Sequence, residues 1–435
     1  MKPADLIIAN ANVYTVDAEN PAAEAVAVRG NEMGERPLLL MAFDYHTLWT
    51  NTAALEQAGL LHGAADLPGS AEIVLGPDGL ATGELREEAA YGRLLHTIPE
   101  PGDNRKRELL KNGLAYLASL GVTSVHNMNG DAAKAALYAA LEDLGELSLR
   151  VYVPYSIRPE TPLSAIAAEA VPLRQQFQSE MVRAGAVKFF MDGVYESYTA
   201  VTLDAYPDQP DNFGAPIYSP EHFARMAIEA DKHGLQIFVH ACGDGAVRRV
   251  LDGYTAVRQT NGRRNSRHRV EHIEMIHPDD APRLAQLGVI ASMQPLHAPL
   301  EADSDDVWLK RVRPSQWDRA FAWRTLRDAN AVLAFGSDWP VAPPNPLWGI
   351  AGAVTRQPWQ PGVNPHRQTL AEAIAAYTRD AAYAEFQEDQ KGQIKAGMWA
   401  DMVLLTDDIF ALPPEELWHI RVALTVCNGR VVYEK

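Results

Sequence analysis

The sequence is 435 residues long and 47% hydrophobic, which is sufficient for one large domain with a buried core and one small domain. Its formal net charge is −17, and such an acidic chain repels nucleic acid and anionic membrane surfaces. No run approaches the roughly 18 apolar residues that span a bilayer, and the N-terminal segment lacks the apolar core of a signal peptide. The two cysteines are too few for a disulfide framework, which favours a reducing, cytoplasmic compartment.

The chain begins and ends with short apolar stretches that have the character of β-strands and are separated by turn residues. Those at the start are LIIANANVYTV and AEAVAVRG, and those at the end are WADMVLLT and ALTVCNGRVVYEK. We predict that residues 1–30 and 392–435 together form a small β-sandwich domain. Residues 36–103 contain one apolar run, RPLLLMAF, followed by a turn and scattered helix-forming residues, and we predict that they form an inserted lobe.

From residue 104 to residue 391, apolar strand-like runs alternate with amphipathic helical segments, a pattern typical of βαβ units and a parallel sheet. Seven such runs occur: GVTSVHNM, LRVYVPYSI, AGAVKFFMDG, LQIFVHACGD, HRVEHIEM, GVIASMQPLHA and AVLAFGSDWP. A doubly wound open sheet is the alternative, but the Gly-x-Gly-x-x-Gly loop of a dinucleotide-binding sheet is missing. We therefore predict an α/β fold with a TIM-type (β/α) barrel, either complete or missing its first strand. RPLLLMAF is the one candidate for an eighth strand.

Four polar residues lie in or at the ends of these strands, where TIM barrels carry their chemistry. They are Lys188, His240, His272 and Asp338. Imidazole and carboxylate groups bind zinc and similar divalent ions, and a bound ion lowers the pKa of water to about 7. A single histidine at a strand end is more often structural, and a lysine in a strand usually extends its amine to solvent. Because all four residues follow the same pattern, the sequence favours a metal site.

Motifs across nearly the whole chain resemble the amidohydrolase superfamily, and within it the amidohydrolase family 3 branch, which includes deformylase-like proteins. The motifs are VKFFMDGVYES, FVHACGDGAV, RVEHIEMI, FGSDWPV, FDYHTLWTN and ATGELREEA, together with ADLIIANANVYTVD and KGQIKAGMWADMVLL at the two ends. The resemblance implies a metal-dependent hydrolase that acts on a carbon–nitrogen bond of a small amide or cyclic amide, outside peptides. The expected cofactor is a divalent metal, with zinc favoured.

Residue by residue, the resemblance implies that Lys188 is carboxylated and bridges two metal ions, and that His240 and His272 bind the second ion. Asp338 would bind metal and transfer protons as the catalytic base. Carboxylation would give an otherwise repulsive ammonium a negative charge and two ligand oxygens. Four further residues are weaker candidates for substrate contact, with simple structural roles equally open: Glu84, Arg86, Tyr195 and Glu196.

One departure from the family pattern affects the expected metal content. The superfamily carries a His-x-His pair at the end of its first barrel strand, but no two of the 13 histidines here are separated by a single residue. We therefore expect at most one metal ion. His46 is an alternative ligand, although the family pattern places it in the lobe. A catalytically impaired or inactive barrel is the alternative function.

Overall fold

In a computed structural model, the structure describes residues 37–42, 45–303 and 305–435, together with the backbone of five short strands nearer the N-terminus. The joint between the predicted sandwich and lobe, near residues 30–36, lies largely outside the described residues. The chain divides into two compact units, Met1–Glu100 and Pro101–Lys435. Each unit has a hydrophobic cluster of its own.

The first unit consists of short strands and two helices. Its described strands are β1 (Leu6–Ile8), β2 (Val13–Tyr14), β3 (Ala22–Ala23), β4 (Val26–Arg29), β5 (Glu32–Met33), β6 (Leu39–Met41), β7 (Thr47–Thr50), β8 (Glu72–Leu75) and β9 (Ala81–Arg86). The helices are α1 (Thr52–Ala58) and α2 (Glu88–Leu95). Asn51 caps α1 by accepting a hydrogen bond from the Ala54 amide, and Gly59 ends the helix with a φ of 70°.

The apolar run RPLLLMAF supplies β6, which belongs to an antiparallel four-stranded sheet with the order β6-β7-β9-β8. Within that sheet, Leu40 pairs with Trp49 of β7. The buried side of the sheet contributes Leu48 and Leu85 to the core of this unit. The possibility that this run closes the barrel as an eighth strand is therefore wrong, because its backbone pairs with β7 instead.

The second unit contains the predicted alternation of strands and helices. Its strands are β10 (Ser124–His126), β11 (Arg150–Ser156), β12 (Val182–Phe190), β13 (Gln236–Ala241), β14 (Arg269–His272), β15 (Ile290–Met293), β16 (Val332–Phe335), β17 (Met402–Leu405), β18 (Val422–Cys427) and β19 (Arg430–Glu434). Its helices are α3 (Asp103–Ser119), α4 (Ala132–Asp143), α5 (Val171–Gln176), α6 (Pro220–Lys232), α7 (Asp244–Asn261), α8 (Ala281–Leu287), α9 (Val307–Arg311), α10 (Trp323–Asp328), α11 (Pro346–Thr355), α12 (Leu370–Tyr377) and α13 (Arg379–Ala384).

The seven predicted barrel strands form one parallel sheet in sequence order, from β10 to β16. β13 and β14 are buried along their whole length, which explains why their sequences do not alternate strictly between polar and apolar residues. The sheet curls like part of a barrel, and helices accompany its strands. The predicted TIM-like α/β fold is confirmed, and the described sheet contains seven strands.

The edge strands of this sheet are β10 and β16. Segments that flank these two strands in the sequence contact one another. Trp339, beyond β16, packs on Tyr116 of α3 with ring centroids 5.9 Å apart. Near the start of β10, the Lys391 ammonium donates a hydrogen bond to the Ser124 hydroxyl at 2.7 Å. Side chains from distant parts of the chain therefore link the two edges of the curled sheet.

Strands from both ends of the chain form sheets, as predicted. The N-terminal strands pair as β1-β4-β5 and β2-β3, and the C-terminal strands pair antiparallel as β17-β18-β19. A bidentate ion pair between Arg150 and Asp401, at 2.6 and 3.0 Å, ties the C-terminal sheet to β11. A joint sandwich of residues 1–30 and 392–435 stays a prediction, as do the boundaries of the lobe and barrel. In the part of the chain that the structure describes, no helix has the length and apolar character needed to cross a membrane.

Candidate metal centre

The four residues singled out from the sequence lie near or just beyond the C-terminal ends of strands of the parallel sheet. Lys188 is within β12, His240 is near the end of β13, and His272 is the last residue of β14. Asp338 follows the end of β16 by three residues. Because all seven strands run in the same direction, their C-terminal ends share one edge of the sheet, and this edge collects the polar side chains.

A compact group of metal-ligating atoms is found at this edge. His272, His297 and Asp338 each offer one ligand atom, and these atoms all lie within 4.8 Å of one another. The His240 ring adjoins the group, with its centroid 4.4 Å from that of His272. Two of the predicted residues, His272 and Asp338, are therefore brought together directly, and His240 lies immediately beside them.

Hydrogen bonds orient the two predicted histidines. Nδ1 of His272 lies 2.9 Å from the side-chain oxygen of Gln294, which makes Nδ1 the protonated nitrogen and leaves Nε2 to bind a cation. Nε2 of His240 lies 3.0 Å from the Gly193 carbonyl oxygen. By the same argument, His240 would bind a cation through Nδ1. Both rings are buried, so these hydrogen bonds fix their orientation.

The backbone at the site adopts an unusual conformation. His272 and Ile273 have φ values of 76° and 50°, and Asp338 has a φ of 57°. Residues other than glycine rarely occupy this region, and strained backbone is concentrated at functional sites. The unusual backbone therefore occurs at two of the three residues whose ligand atoms lie close together.

His297 is a site residue that the sequence analysis missed. It ends a short 3₁₀ helix, Pro295–His297, just after β15. Its Nε2 lies 3.8 Å from Asp338 Oδ2, and its ring stacks on that of His272 with an interplanar angle of 10°. Burial alone would lower the pKa of His297, but the Glu274 and Asp338 carboxylates outweigh this effect and raise it. The signal was present, because His297 is a polar residue at a strand end in a run already assigned to the barrel.

Lys188 is buried in the sheet, with 2% of its surface exposed. Its Nζ lies 3.6 Å above the ring of Phe190, and that ring lies 5.0 Å from the His240 ring. Burial lowers the pKa of the Lys188 amine to about 8, although the Glu271 and Asp338 carboxylates act in the opposite direction. Lys188 therefore adjoins the site, but its amine also donates to the Phe189 carbonyl at 3.3 Å.

The weaker candidates have local partners of their own. Tyr195 is buried and packs against Trp308, with ring centroids 5.3 Å apart, and Glu196 beside it is partly buried. In the first unit, Arg86 of β9 donates to the Glu84 carboxylate at 2.8 Å. His46 lies 2.8 Å from a carboxylate oxygen of Glu87 in that same unit. Substrate contact by the four weaker candidates stays a prediction, as does the alternative in which His46 binds metal.

The chemistry of the donor set fits a divalent cation. Imidazole nitrogens and a carboxylate are the usual ligands of zinc in catalytic sites, where three protein ligands leave a position open. The buried Nε2 of His297 has no hydrogen-bond partner among the described residues, although its immediate neighbours are ligand-type groups. Buried polar atoms are nearly always paired, so an unpaired nitrogen at this position supports a bound cation.

Comparison with known proteins agrees with this geometry. The chain is 32% identical to the protein LONG AFTER FAR-RED 3 of Arabidopsis thaliana over 85% of its length, and it spans 64% of that protein. It is 26% identical to an N-substituted formamide deformylase of Arthrobacter pascens, covering 92% of this chain and 74% of that one. An uncharacterized metal-dependent hydrolase from Pyrococcus furiosus has a similar structure, with a TM-score of 0.64 and 26% identity over 84% of this chain and 71% of that one. Residues 31–433 match the model of the amidohydrolase family, and the chain belongs to this family.

Proposed function

We propose that the chain is a metal-dependent hydrolase that cleaves a carbon–nitrogen bond of a small amide or cyclic amide. The observation that carries this proposal is the group of His272, His297 and Asp338 at the C-terminal edge of the parallel sheet. Similarity to a formamide deformylase and to a metal-dependent hydrolase supports the reaction class. The acidic net charge of −17 agrees with a small-molecule substrate rather than nucleic acid.

In this proposal His272 and Asp338 hold the cation, and His240 adjoins it. A divalent cation bound there supplies a Lewis acid that polarises a carbonyl group and acidifies water. Asp338 is 29% exposed at its side chain, so its carboxylate reaches both the protein interior and solvent. It accepts the proton of the attacking water and passes it to the nitrogen that leaves, which completes cleavage without an unstable amide anion.

Lys188 is proposed to be carboxylated, as the family resemblance implies. Its amine would react with carbon dioxide to form a carbamate and release one proton, and the carbamate would supply negatively charged oxygen ligands for the cation. Burial supports this assignment, because a pKa of about 8 leaves about a tenth of the amine uncharged and nucleophilic at pH 7, far more than the ordinary value of 10.5 would leave. A carbamate would also remove the cost of a buried positive charge next to a metal ion.

One zinc ion per chain is the proposed content. The sequence lacks the His-x-His pair that would hold another ion, and the donor set of nitrogen and oxygen ligands suits zinc. A reducing, cytoplasmic location is proposed as well. Both cysteines, Cys242 and Cys427, are buried free thiols, which a reducing compartment keeps in that form.

A second candidate function is binding without catalysis. The absence of the His-x-His pair favours it, because fewer ligands weaken metal binding and leave the cation less able to activate water. The two functions differ in their dependence on Asp338. A hydrolase needs this carboxylate for proton transfer, whereas a binding protein needs it only if it holds the ligand.

The experiment combines metal analysis with turnover. Protein purified without chelators, before and after incubation with zinc, is analysed for bound metal and assayed on a panel of N-formyl amines and cyclic amides. The variant Asp338→Asn keeps the size of the side chain but removes its basicity, and Asp279→Asn, at an 84% exposed side chain, is the matched control.

We expect about one ion per chain, turnover that Asp279→Asn retains, and a loss of at least about 100-fold in kcat for Asp338→Asn. Well under one ion per chain, with no gain on adding zinc, would contradict the proposed hydrolase. Turnover that survives Asp338→Asn would contradict the role given to Asp338.

A further inference from the structure

We propose that His297 is a direct metal ligand and that Glu274 and Trp308 orient its ring for this purpose. This inference rests on the proposed function, and it adds to the ligands implied by the family resemblance. His297 supplies a second imidazole beside His272 in a chain that lacks the His-x-His pair. The result is a mononuclear site of His272, His297 and Asp338.

The position of the His297 ring supports the first part of the proposal. Its ring is nearly parallel to that of His272, with centroids 5.7 Å apart, so both imidazoles face the same region from neighbouring strands. Nε2 points towards the Asp338 carboxylate at 3.8 Å, which is too long for a direct hydrogen bond. A cation between these groups would bind both the buried Nε2 and the Asp338 carboxylate.

The opposite nitrogen of His297 faces Glu274. Glu274 is buried, with 5% of its surface exposed, and its Oε1 lies 3.8 Å from His297 Nδ1. At 3.8 Å the Glu274 carboxylate attracts a proton to Nδ1 electrostatically rather than through a direct hydrogen bond, and Asp338 lies equally far from Nε2. A cation bound on the Asp338 side would therefore leave the proton on Nδ1, next to Glu274, and take the lone pair of Nε2. Metal-binding histidines commonly have a carboxylate in this position, where it fixes the tautomer and increases the basicity of the ligand nitrogen.

Glu274 is itself held in place by Trp308. The indole N–H of Trp308 donates to the other carboxylate oxygen, Oε2, at 2.8 Å. The Trp308 ring is fixed in turn by packing against Phe321 and Trp359, with centroids 5.0 and 5.5 Å away. The Phe321 amide also donates to the Glu274 carbonyl oxygen at 2.8 Å. Both the side chain and the backbone of Glu274 are therefore fixed, which is what a positioning residue requires.

The first experiment measures metal affinity in the full-length protein. Zinc and cobalt dissociation constants are determined by competition with a chromophoric chelator, and the visible absorption of the cobalt form reports its coordination. His297→Gln is compared with His277→Gln, a partly exposed histidine that lies beyond β14. We expect His297→Gln to weaken metal binding by at least about 100-fold, since loss of a ligand exceeds the 10–100-fold typical of outer partners. Its cobalt absorption should also change, whereas His277→Gln should match the wild type.

The second experiment tests the positioning residues. Glu274→Gln removes the charge at nearly constant size, and we expect metal affinity to fall by about 10–100-fold. Trp308→Phe removes the indole N–H of that hydrogen bond together with part of the buried ring, and we expect a smaller fall in metal affinity. Trp359→Phe is the matched control, because Trp359 belongs to the same aromatic cluster but donates its N–H to the Pro299 carbonyl oxygen. Thermal unfolding of the metal-free proteins separates a change in metal binding from a loss of folding.

The outcomes distinguish a failure of the proposed function from a failure of the role given to His297. A wild-type protein that binds no metal overturns the proposed function. Wild-type binding that His297→Gln leaves unchanged, in affinity and cobalt spectrum, overturns the present inference while the proposed function stands. If Glu274→Gln and Trp359→Phe lower metal affinity equally, the positioning role of Glu274 is wrong. Loss of packing alone would then account for both decreases in affinity.

Discussion

The buried carboxylate of Glu385 provides a test of what links the edges of the curled sheet. Glu385 follows α13 and is 4% exposed, and it forms an ion pair with Lys391, which in turn donates to Ser124 at the start of β10. On its other side, Glu385 lies 3.6 Å from Nε2 of His126. Burial alone would raise the pKa of Glu385, but Lys391 and His126 outweigh it and lower the pKa to about 2.

The lowered pKa of Glu385 gives the contribution of its ionised carboxylate to the free energy of unfolding. A fall from the ordinary value of 4.5 to about 2 corresponds to about 3 kcal/mol of stability. Because the folded protein binds this proton less tightly than the unfolded chain, the stabilisation is complete above about pH 4.5 and is lost as the pH falls towards 2. At pH 3 about 2 kcal/mol of it should have been lost. Burial lowers the pKa of His126, so the folded protein also binds this proton less tightly than the unfolded chain. Protonation of His126 therefore destabilises the fold as the pH falls, and it begins at a higher pH than protonation of Glu385.

The test is Glu385→Gln, measured by urea unfolding followed by tryptophan fluorescence at pH 7 and pH 3. Eight of the nine tryptophans lie in the second unit, so the signal reports chiefly on it. We expect the variant to be about 3–5 kcal/mol less stable at pH 7, since it leaves Lys391 buried without its carboxylate. At pH 3 the difference should shrink by about 2 kcal/mol.

The matched control is Glu388→Gln, whose carboxylate pairs with Arg267 at 2.6 Å but is 28% exposed. A partly exposed pair contributes less, so we expect a loss of about 1 kcal/mol or less at pH 7. A difference between wild type and Glu385→Gln that stays the same at both pH values would refute the reasoning. It would mean that the ionisation of Glu385 does not stabilise the fold.

Three further substitutions test packing in the second unit. Gly130→Ala should destabilise the protein by about 1–3 kcal/mol, because a Cβ there would lie 2.3 Å from the Pro154 carbonyl oxygen; a thermal midpoint equal to that of the wild type would contradict this. Asp401→Asn should cost about 3–5 kcal/mol in urea unfolding, since it leaves the buried Arg150 guanidinium without its carboxylate. Arg356→Met should change the unfolding free energy by less than about 1.5 kcal/mol, because Arg356 is buried among aromatic rings and its side-chain hydrogen bonds go to backbone carbonyl oxygens. A loss above 3 kcal/mol would show that those hydrogen bonds matter more than the cost of burying the charge.

The strands of the barrel could be predicted because their sequences carry a strong local signal. Each is an apolar run bounded by turn residues, and parallel strands with both faces buried need no polar alternation. RPLLLMAF has the same local character, yet it forms β6 in the antiparallel sheet of the first unit. Local pattern identifies a strand but not its partner, since pairing depends on contacts far apart in the sequence. That difference explains why seven strands were assigned correctly and the candidate eighth was not.

The site could be predicted in part for the same reason. His240 and His272 occupy strand ends, so knowing the strands was enough to bring them together. His297 lies beyond the end of β15, where a 3₁₀ turn beginning at Pro295 returns its ring to the site. Glu274 follows two residues with positive φ, and its side chain could not be placed from strand periodicity. Sequence patterns locate residues on regular elements, whereas these two positions depend on irregular backbone that only the structure provides.

The location of the metal-ligating group explains how a site can persist in a chain without the family's first-strand histidines. His272, His297 and Asp338 follow β14, β15 and β16, which are consecutive strands with parallel pairing along their length. Glu271 pairs with Ser292, and Met293 pairs with Phe335, so the register that sets the spacing of the three ligands lies within these strands. In a closed barrel a first strand would lie between the edge strands β10 and β16, so its loss leaves the pairing of β14 with β15 and of β15 with β16 intact. The pairing of β14, β15 and β16 therefore preserves a group of three potential ligands in a chain without the His-x-His pair, and the proposed mononuclear centre rests on this group.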